Sequence, residues 1–416
     1  MCAAISVPVE KQAPFHAGSR HTGGSSDIVA SVRIGGIALL LALTGGCRFD
    51  PSGTPGNAID AAIMIDAEPS IPDAEPPPDA TACGQSCADA GGECQPDNRC
   101  RIECDDQCDG AVCPTGLSCD IHCIGADACD PAGVDCSEGV DCTVTCAGDR
   151  ACGGAPVQCG SGECTVTCTG NLACDAGVVC GDGACNVQCT TADSCIQGAV
   201  DCSAASSCVI GCLDNRACRD APVKCGLGSC DVTCTGNLAC DAGVICGDGA
   251  CNVQCTTADS CTKGAVDCSA ASSCVIGCLD NRACRDAPVR CGLGSCDVTC
   301  TGNTTCDSGV VCGNGPCDVR CTTADSCKTG LIDCTQASQC DILCDGARSC
   351  EASGVECGGT TCEVECDGAN SCGAGVICHA TDSCIAHCCG TEACGGALVC
   401  DDPPPPTCTF DNACVP

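Results

Sequence analysis

A repeating cysteine pattern constrains this chain more than any other feature of its sequence. Of its 416 residues, 64 are cysteine, and from Cys113 to Cys400 they recur as C-x(4,5)-C-x3-C-x5-C-x(5,6), a unit of 21 to 23 residues that occurs thirteen times. From Cys136 the unit lengths run 23, 21 and 22 and then repeat, and residues 202–267 are nearly identical to residues 268–333. Repeats of this length indicate a solenoid in which each unit packs against its neighbours.

Within each unit, polar and apolar residues alternate between the second and third cysteines. The segments read CTVTC, CNVQC or CDVTC, and the central residue is Val or Ile in every unit except the last, which has Ala386. This period of two puts Cys, Val and Cys on one face of a strand. A second short stretch carries an aliphatic residue two positions before the next unit, and Gly-rich corners separate the two stretches. The sequence therefore predicts an all-β, disulfide-stapled β-solenoid, similar to a parallel β-helix, of about 13 rungs.

Disulfides, metal thiolates and redox catalysis are the three chemistries that could use so many cysteines. Metal and thioredoxin-like sites favour C-x2-C, which is absent from this sequence. The two cysteines of C-x3-C lie about 13 Å apart along a strand, beyond the ~7 Å reach of a disulfide, so each must pair elsewhere. Outside Cys2 and Cys47 the cysteines fall into even-numbered groups. We predict two structural disulfides in each rung, with the pairing open and metal thiolates as the alternative; one repeat holds Cys202, Cys208, Cys212 and Cys218.

The N-terminal segment has the pattern of an export signal. Residues 32–46 contain Arg33, a short apolar run and small residues. The junction with Cys47 resembles the lipobox of bacterial lipoproteins, although Thr44 stands where that family prefers Leu. The resemblance implies that Cys47 is lipidated and becomes the mature N-terminus. Arg48, in place of an Asp that marks inner-membrane retention, implies an outer-membrane location by the same resemblance.

Composition sets the other domain boundaries. Residues 1–31 are polar and precede the signal, so we expect them to be untranslated, with a start at Val32, or disordered. Residues 47–82 are rich in Pro, Ala, Asp and Glu, a composition typical of a disordered linker. The predicted folded part comprises a Cys-rich N-terminal cap at 83–112, the solenoid at 113–399 and a C-terminal cap at 400–416.

Charge and composition argue against several classes of function. The net charge of −37 is unsuited to nucleic acid, whose phosphates bind Lys and Arg. The sequence lacks the H-E-x-x-H, G-x-S-x-G, P-loop and G-x-G-x-x-G motifs. It contains three Phe and no Trp or Tyr, so it offers few aromatic platforms for sugars. A β-helix enzyme acting on polysaccharides remains an alternative, which a groove joining Arg219 and Lys224 with nearby acids would favour.

Recurring polar residues are candidates for calcium binding, although no cofactor is required by the pattern. They occupy the G-[DN]-G and TTADSC corners of every third rung: Asp182, Asp248 and Asn314 in the first, and Asp193, Asp259 and Asp325 in the second. Three rungs span about 14 Å, too far for neighbouring members of a set to share an ion. Because Asp and Asn also stabilise turns, we expect turn roles for them.

One group of residues near the last rung could also bind a metal. It combines two histidines with two adjacent cysteines: His379, His387, Cys388 and Cys389. The third histidine of the repeats is His122. We expect the group to be a coincidence of the terminal rung and predict no metal site.

Two resemblances complete the interpretation. The T-C-T triplets at Thr167–Thr169, Thr233–Thr235 and Thr299–Thr301 resemble the beetle antifreeze β-helix, but they occur only in every third rung, which breaks the threonine array. As a whole, the signal, acidic linker and Cys-rich repeats resemble the surface lipoproteins of myxobacteria and their relatives, which implies no established activity. We therefore predict a non-enzymatic structural or interaction protein of the bacterial outer envelope. It would be anchored to the membrane by lipid and exposed at the cell surface to an unidentified protein or surface partner.

Overall fold

The computed structural model describes residues 82–106, 108–380, 382–396, 398–400 and 407–411. The predictions for residues 1–31, for the signal at 32–46, for the lipidation of Cys47 and for the linker up to residue 81 lie outside the described residues. Within the described residues, no helix combines the length and the apolar character needed to cross a membrane.

Long and short strands alternate along the chain after a short N-terminal segment. That segment consists of helix α1 (Ala82–Asp89) and strand β1 (Glu93–Cys94). The long strands are β2 (Arg99–Cys104), β4 (Ser118–Ile124), β6 (Cys142–Ala147), β8 (Cys164–Cys168), β10 (Ala184–Cys189), β12 (Ser207–Cys212), β14 (Ser229–Cys234), β16 (Ala250–Cys255), β18 (Ser273–Cys278), β20 (Ser295–Cys300), β22 (Pro316–Cys321), β24 (Gln339–Cys344), β26 (Thr361–Cys366), β28 (Ser383–Cys388) and β30 (Thr407–Asp411). The short strands are β3 (Ala111–Val112), β5 (Val134–Asp135), β7 (Val157–Gln158), β9 (Val178–Val179), β11 (Val200–Asp201), β13 (Val223–Lys224), β15 (Val244–Ile245), β17 (Val266–Asp267), β19 (Val289–Arg290), β21 (Val310–Val311), β23 (Ile332–Cys334), β25 (Val355–Cys357), β27 (Val376–Cys378) and β29 (Leu398–Cys400).

These strands form two sheets, each of which runs the length of the solenoid. The long-strand sheet contains β1 and all the long strands, and the short-strand sheet contains the fourteen short strands. Each strand pairs in parallel with the equivalent strand of the next rung, and β1 with β2 is the one antiparallel pair among the described strands. The prediction of a parallel β-solenoid is confirmed.

The alternating sequence pattern becomes an alternation of burial. In β10, Cys185, Val187 and Cys189 are buried, while Asn186 and Gln188 point outward. Val187 lies beside the equivalent Val or Ile of both neighbouring rungs, and this inner column is shielded from solvent along the solenoid. Burial of each such side chain stabilises the fold by about 1.5–3 kcal/mol. The core is therefore a narrow column of aliphatic side chains and sulfur.

Every rung from Cys113 to Cys394 closes two disulfides within itself. The first cysteine pairs with the second and the third with the fourth, as in Cys202–Cys208 and Cys212–Cys218, so that each bond joins residues five or six positions apart. The predicted two disulfides per rung are confirmed. Within these rungs, the cysteines of C-x3-C do not bond to each other, as inferred, and each of them closes a corner at its own end of the long strand. The inference is wrong for the C-x3-C of the N-terminal cap, where Cys104 bonds to Cys108. Because Cys104 ends β2, this pair does not lie along a strand, and its Cα atoms are 5.3 Å apart.

A tight corner explains the small residue before the fourth cysteine. Asp193 and Cys195 have φ of 60° and 53°, in the left-handed region that non-glycine residues seldom adopt. Ser194, between them, is fully buried, and the N–H of Cys195 donates to the carbonyl of Ala173 in the preceding rung at 2.9 Å. The same backbone pattern recurs around Arg216. Stacked corners at this spacing leave room only for Ala, Ser or Thr.

The N-terminal cap and the solenoid share a strand. Within the segment predicted as a cap, β2 pairs in register with β4 and so forms a rung ahead of the thirteen seen in the sequence. The cap disulfides join Cys83 to Cys94, Cys87 to Cys100 and Cys104 to Cys108. The first of these joins α1 to β1, and the second joins α1 to β2, so the two hold α1 and β1 against the first rung. At the other end, β30 adds to β28, and Cys400 pairs with Cys408.

Candidate functional site

The TTADSC carboxylates face arginine side chains of the following rung. Asp193 pairs with Arg216, Asp259 with Arg282 at 2.5 Å, and Asp325 with Arg348 at 2.7 Å. Each of the three Asp side chains is only 14% exposed. These residues therefore link adjacent rungs through ion pairs, and a calcium ion would have to displace a guanidinium group to reach them.

The second set of calcium candidates occupies exposed corners. Asp182, Asp248 and Asn314 point into solvent, each three rungs from the next. The backbone carbonyl of Asp182 accepts a hydrogen bond from the N–H of Ser206 in the next rung at 3.1 Å, and Asp248 accepts one from Ser272 in the same way. The backbone role of Asp182 and Asp248 is that of a corner residue, as expected.

The histidines and the terminal cysteines are engaged locally. His122 Nε2 lies 3.0 Å from Asp120 Oδ1, and His387 Nε2 lies 3.5 Å from Glu363 Oε1. Cys388 is bonded to Cys394, and Cys389 is also in a disulfide. Neither of these cysteines offers a thiolate to a metal beside His379 and His387.

The two basic residues considered for an enzyme groove pair with acids beside them. Arg219 contacts its neighbour Asp220 at 2.8 Å, and this hydrogen bond raises the pKa of the arginine above its ordinary value. Lys224 Nζ lies 3.1 Å from Asp201 Oδ2 on the adjacent strand of the short-strand sheet. Both contacts neutralise charge on the surface of the solenoid.

The threonine array is short. On the outer face of the long-strand sheet, Thr145 lies beside Thr167, but Gln188 follows in the next rung. A flat threonine surface therefore extends over only two rungs at this position.

A row of four carboxylates occupies consecutive rungs of the long-strand sheet. Asp297, Asp318, Asp341 and Glu363 occupy the same outward position of β20, β22, β24 and β26 and are direct partners in the parallel register. We call them the acidic row. Neighbouring strands are about 4.8 Å apart, a spacing at which like charges repel one another. Val275 and Ile385 bound the row at its two ends.

The acidic row is only partly neutralised. Arg320 contacts Asp318 at 2.7 Å, and His387 lies near Glu363. Desolvation raises the pKa of Asp341, and the charges of Asp318 and Glu363 raise it further. Desolvation likewise raises the pKa of Glu365, with Asp367 adding to the effect. Asp341 and Glu365 therefore bind protons more readily than free carboxylates do.

A shallow groove follows the acidic row. One part, of about 420 Å³, is lined by residues that include Ser295, Asp297, Pro316, Asp318, Gln339 and Asp341. A second part, of about 300 Å³, is lined by residues that include Gln339, Asp341, Thr361, Glu363, Ser383 and Ile385. Because Gln339 and Asp341 line both, the two parts adjoin. The carboxylates of this face can attract cationic groups.

The acidic row was missed by reasoning from the sequence, although a signal for it exists. Four consecutive units read CDVTC, CDVRC, CDILC and CEVEC, with the acid always directly after the second cysteine. The calcium candidates repeat every third rung, whereas these acids share one strand position in successive rungs.

We predict that Asp341→Asn stabilises the protein at neutral pH and not in acid. The folded-state pKa of Asp341 is raised, so its ionised form destabilises the fold above that pKa, and this cost disappears as the pH falls through it. The expected gain at neutral pH is about 0.2–1 kcal/mol, the range for like charges on adjacent strands. Denaturant unfolding at neutral pH and near pH 4 measures it.

The matched control is Asp231→Asn. Asp231 has the same position in β14, but its neighbours in the row are Val209 and Asn252. It therefore lacks adjacent carboxylates, and its replacement is expected to give no such gain. Equal effects of the two variants at neutral pH would contradict the role of stacked charges.

Comparisons with protein-family models, with curated proteins and with solved structures find no match to this chain.

Proposed function

We propose that this chain is a non-enzymatic structural or interaction protein of the bacterial outer envelope, a lipid-anchored stalk or adhesin-like module. The observation that carries the proposal is the pair of disulfides within each rung from Cys113 to Cys394. Disulfides in such numbers belong to an oxidising, extracytoplasmic environment. The disulfides also surround a narrow aliphatic core, so covalent bonds supply much of the constraint on the fold.

The arrangement suits a stalk that resists proteolysis. Proteases cleave exposed, extended segments, which they must accommodate in their active sites. Here the corners of each rung are closed by disulfides over five or six residues, as in Cys180–Cys185 and Cys189–Cys195. Their backbone groups bond to the neighbouring rungs, as the N–H of Cys195 does to Ala173. The corners are therefore short and fixed, and they do not offer a protease the extended segment that it cleaves.

The outer faces supply the surface for interaction. They are polar along most of their length and become strongly acidic over the acidic row. The net charge of −37 favours cationic partners over nucleic acid. Each added rung lengthens both faces by about 4.8 Å and leaves the other rungs unchanged. The number of repeat units therefore sets the length of the module.

The anchor rests on the sequence around Cys47, and substitution tests it. We expect Cys47→Ser to abolish incorporation of a fatty-acid label and to move the protein from the membrane fraction to the soluble fraction. The physical reason is that the serine hydroxyl cannot form the thioether through which a lipobox cysteine carries lipid. Metabolic labelling and cell fractionation measure the result.

Cys2→Ser is the matched control, because it removes another N-terminal cysteine that precedes the predicted signal. This variant is expected to remain labelled and membrane-bound. A Cys47→Ser protein that still carries lipid and sediments with membranes would rule out the proposed anchor, while leaving the disulfide-stapled solenoid unaffected.

A further inference from the structure

One residue of each short strand faces outward, and these residues form a column along the short-strand sheet. The inner residue of each strand is a buried aliphatic side chain, as Val200 and Val223 are, while the residue after it is exposed or half-buried. In the parallel register, the outward residues of seven consecutive rungs are direct neighbours. We call them the outer column: Val179, Asp201, Lys224, Ile245, Asp267, Arg290 and Val311.

The outer column repeats with the three-rung period. The order apolar, acidic, basic occurs twice and is followed by a third apolar residue, Val311. Asp201 and Lys224 form an ion pair at 3.1 Å within the chain. Arg290 is exposed and forms no ion pair with any other residue that the structure describes. Ile245, at the centre of the column, is 46% exposed. The column therefore presents both an unpaired cation and apolar side chains to its surroundings.

The order of residues in the outer column is complementary to its own reverse. In an antiparallel copy whose two-fold axis passes through Ile245, Asp201 faces Arg290 of the second copy. Lys224 then faces Asp267 of the second copy, and the apolar residues face one another. A parallel copy at the same height would place Asp opposite Asp and Lys opposite Lys, and such like charges repel. A two-fold axis perpendicular to the solenoid therefore matches every position of the column.

The residues beside the column are small, so a second copy can approach it closely. Two positions before and after each member of the column, the chain has Gly, Ala, Pro or Ser, and around Ile245 these residues are Gly243 and Gly247. A strip seven rungs long and five residues wide would bury roughly 900 Å² over two copies, an area typical of a weak, reversible interface.

We propose that the chain pairs with a second copy of itself through the outer column, with the two solenoids antiparallel and Ile245 on the two-fold axis. The Asp201–Lys224 pair of one copy then lies against Arg290 and Asp267 of the other, which gives two networks of alternating charge in each dimer. Complementary charges fix the orientation and register of partners more than they add affinity. The apolar positions supply the surface that is removed from water.

This inference deepens the proposed interaction role, on which it rests, by naming the partner as a second copy. It uses the short-strand sheet and requires no lipid anchor. A chain that stays monomeric would leave the lipidation of Cys47 and the disulfide-stapled solenoid standing. Loss of the anchor would leave the pairing of outer columns standing.

Sedimentation velocity of the full, oxidised chain tests the pairing. Every sample carries Cys47→Ser, so that a lipid anchor cannot itself cause association, and is measured from about 1 to 100 µM because an interface of this size is weak. We expect a monomer–dimer equilibrium that high salt weakens severalfold, since salt screens the charge pairs. Ile245→Glu is expected to weaken dimerisation by about tenfold or more, because two carboxylates would meet at the axis.

The matched control is Val209→Glu. Val209 has the same exposure of 46% and also points outward, but it lies on the long-strand sheet. Its neighbours in that sheet are Asn186 and Asp231, so the new carboxylate has one acidic neighbour, as it would at Ile245. This variant is expected to dimerise as the unaltered column does.

Cross-linking with a carbodiimide tests the register. The reagent joins a lysine amine to a carboxyl group by an amide bond, and a mixture of isotope-labelled and unlabelled chains identifies the bonds that join two copies. We expect Lys224 of one copy to be bonded to Asp267 of the other. The two partners are distinguishable because Asp267 follows TKGAV, whereas Asp201 follows IQGAV.

Three outcomes would overturn the proposal: a monomer at every concentration, equal dimerisation of Ile245→Glu and Val209→Glu, or a bond from Lys224 to Asp201 of the other copy, which would indicate a shifted register. If Ile245→Glu loses the protease resistance of the folded chain, the cross-link and the salt dependence of the unaltered column decide the question. A dimer that is insensitive to salt would then contradict the charge networks.

Discussion

Reduction of the disulfides in metal-free buffer is expected to abolish the protease resistance of the solenoid, while the oxidised chain survives the same treatment. Each rung except the last buries a central Val or Ile and one further aliphatic residue, together with its four cysteines. In the rung that begins at Cys202, these two residues are Ile210 and Val223. Closing a loop of about six residues stabilises a fold by about 2 kcal/mol in the chain-entropy model, and two such loops occur in each rung. Because the aliphatic column is narrow, we expect the reduced chain to unfold.

The measurement compares oxidised and phosphine-reduced samples by circular dichroism and by digestion with a protease that itself contains no disulfides. Alkylation of the oxidised chain in denaturant provides the baseline, for which we expect few or no labelled thiols. The reduced sample is kept with a chelator, so that metal cannot replace the disulfides. A reduced chain that keeps its β-sheet signal and its resistance would show that the aliphatic column suffices without covalent support.

Deletion of residues 202–267 is expected to shorten the solenoid by three rungs and to leave it folded. The deletion joins Asp201 to Cys268, and residues 268–289 have the same sequence as residues 202–223. Arg282 then takes the place of Arg216 opposite Asp193, so the ion pair between rungs is restored. Every disulfide and every strand pairing across the new junction has its equivalent in the full chain. Protease resistance and the count of free thiols in denaturant measure the outcome.

Deletion of residues 202–212 is the contrasting change. It removes three cysteines, leaves Cys218 without its partner, and takes away strand β12. We expect free thiols and loss of resistance, because the strands beyond the junction lose their register with those before it.

Deletion of residues 202–224 is expected to have an effect on the fold between those of these two deletions. It removes one whole rung, places Leu238 opposite Asp193 and also removes Lys224, the partner of Asp201. The chain is therefore expected to fold with these two ion pairs lost, at a cost of about 0.2–1 kcal/mol each. Free thiols in the chain that lacks residues 202–267 would contradict the three-rung block as the unit of the fold.

Much of the fold could be read from local pattern. The C-x-V-x-C segments predict a strand with one buried face, and the near-constant unit length predicts that equivalent residues stack. Both predictions hold because each repeat unit of the sequence forms one rung. The small residue before each fourth cysteine, such as Ser194, indicated the crowded corner, and the structure shows that corner with Asp193 and Cys195 at positive φ.

Other features depend on which residues meet across rungs. β2 contains the segment CRIEC, which has the strand pattern of the repeats but lies outside the cysteine spacing of the thirteen units. That it forms a further rung is established by its register with β4. The acidic row arises from residues 21 to 23 positions apart that belong to different copies of the repeat. The Asp193–Arg216 pair likewise joins two motifs that sequence analysis treated separately.

The sequence by itself determined that this chain builds parallel rungs with Val and Cys inside, because alternation and period are local properties that leave few ways to bury the apolar face. Within the thirteen units it also limited the pairing of the cysteines by excluding a bond across C-x3-C, since an extended strand holds those two apart. Only the tertiary structure decided that each cysteine pairs around the nearest corner of its own rung, because a list of spacings contains no corner geometry. The order of Asp201, Lys224 and Ile245 in the outer column is likewise set by the stacking of rungs, which brings together residues that the chain separates by a full repeat.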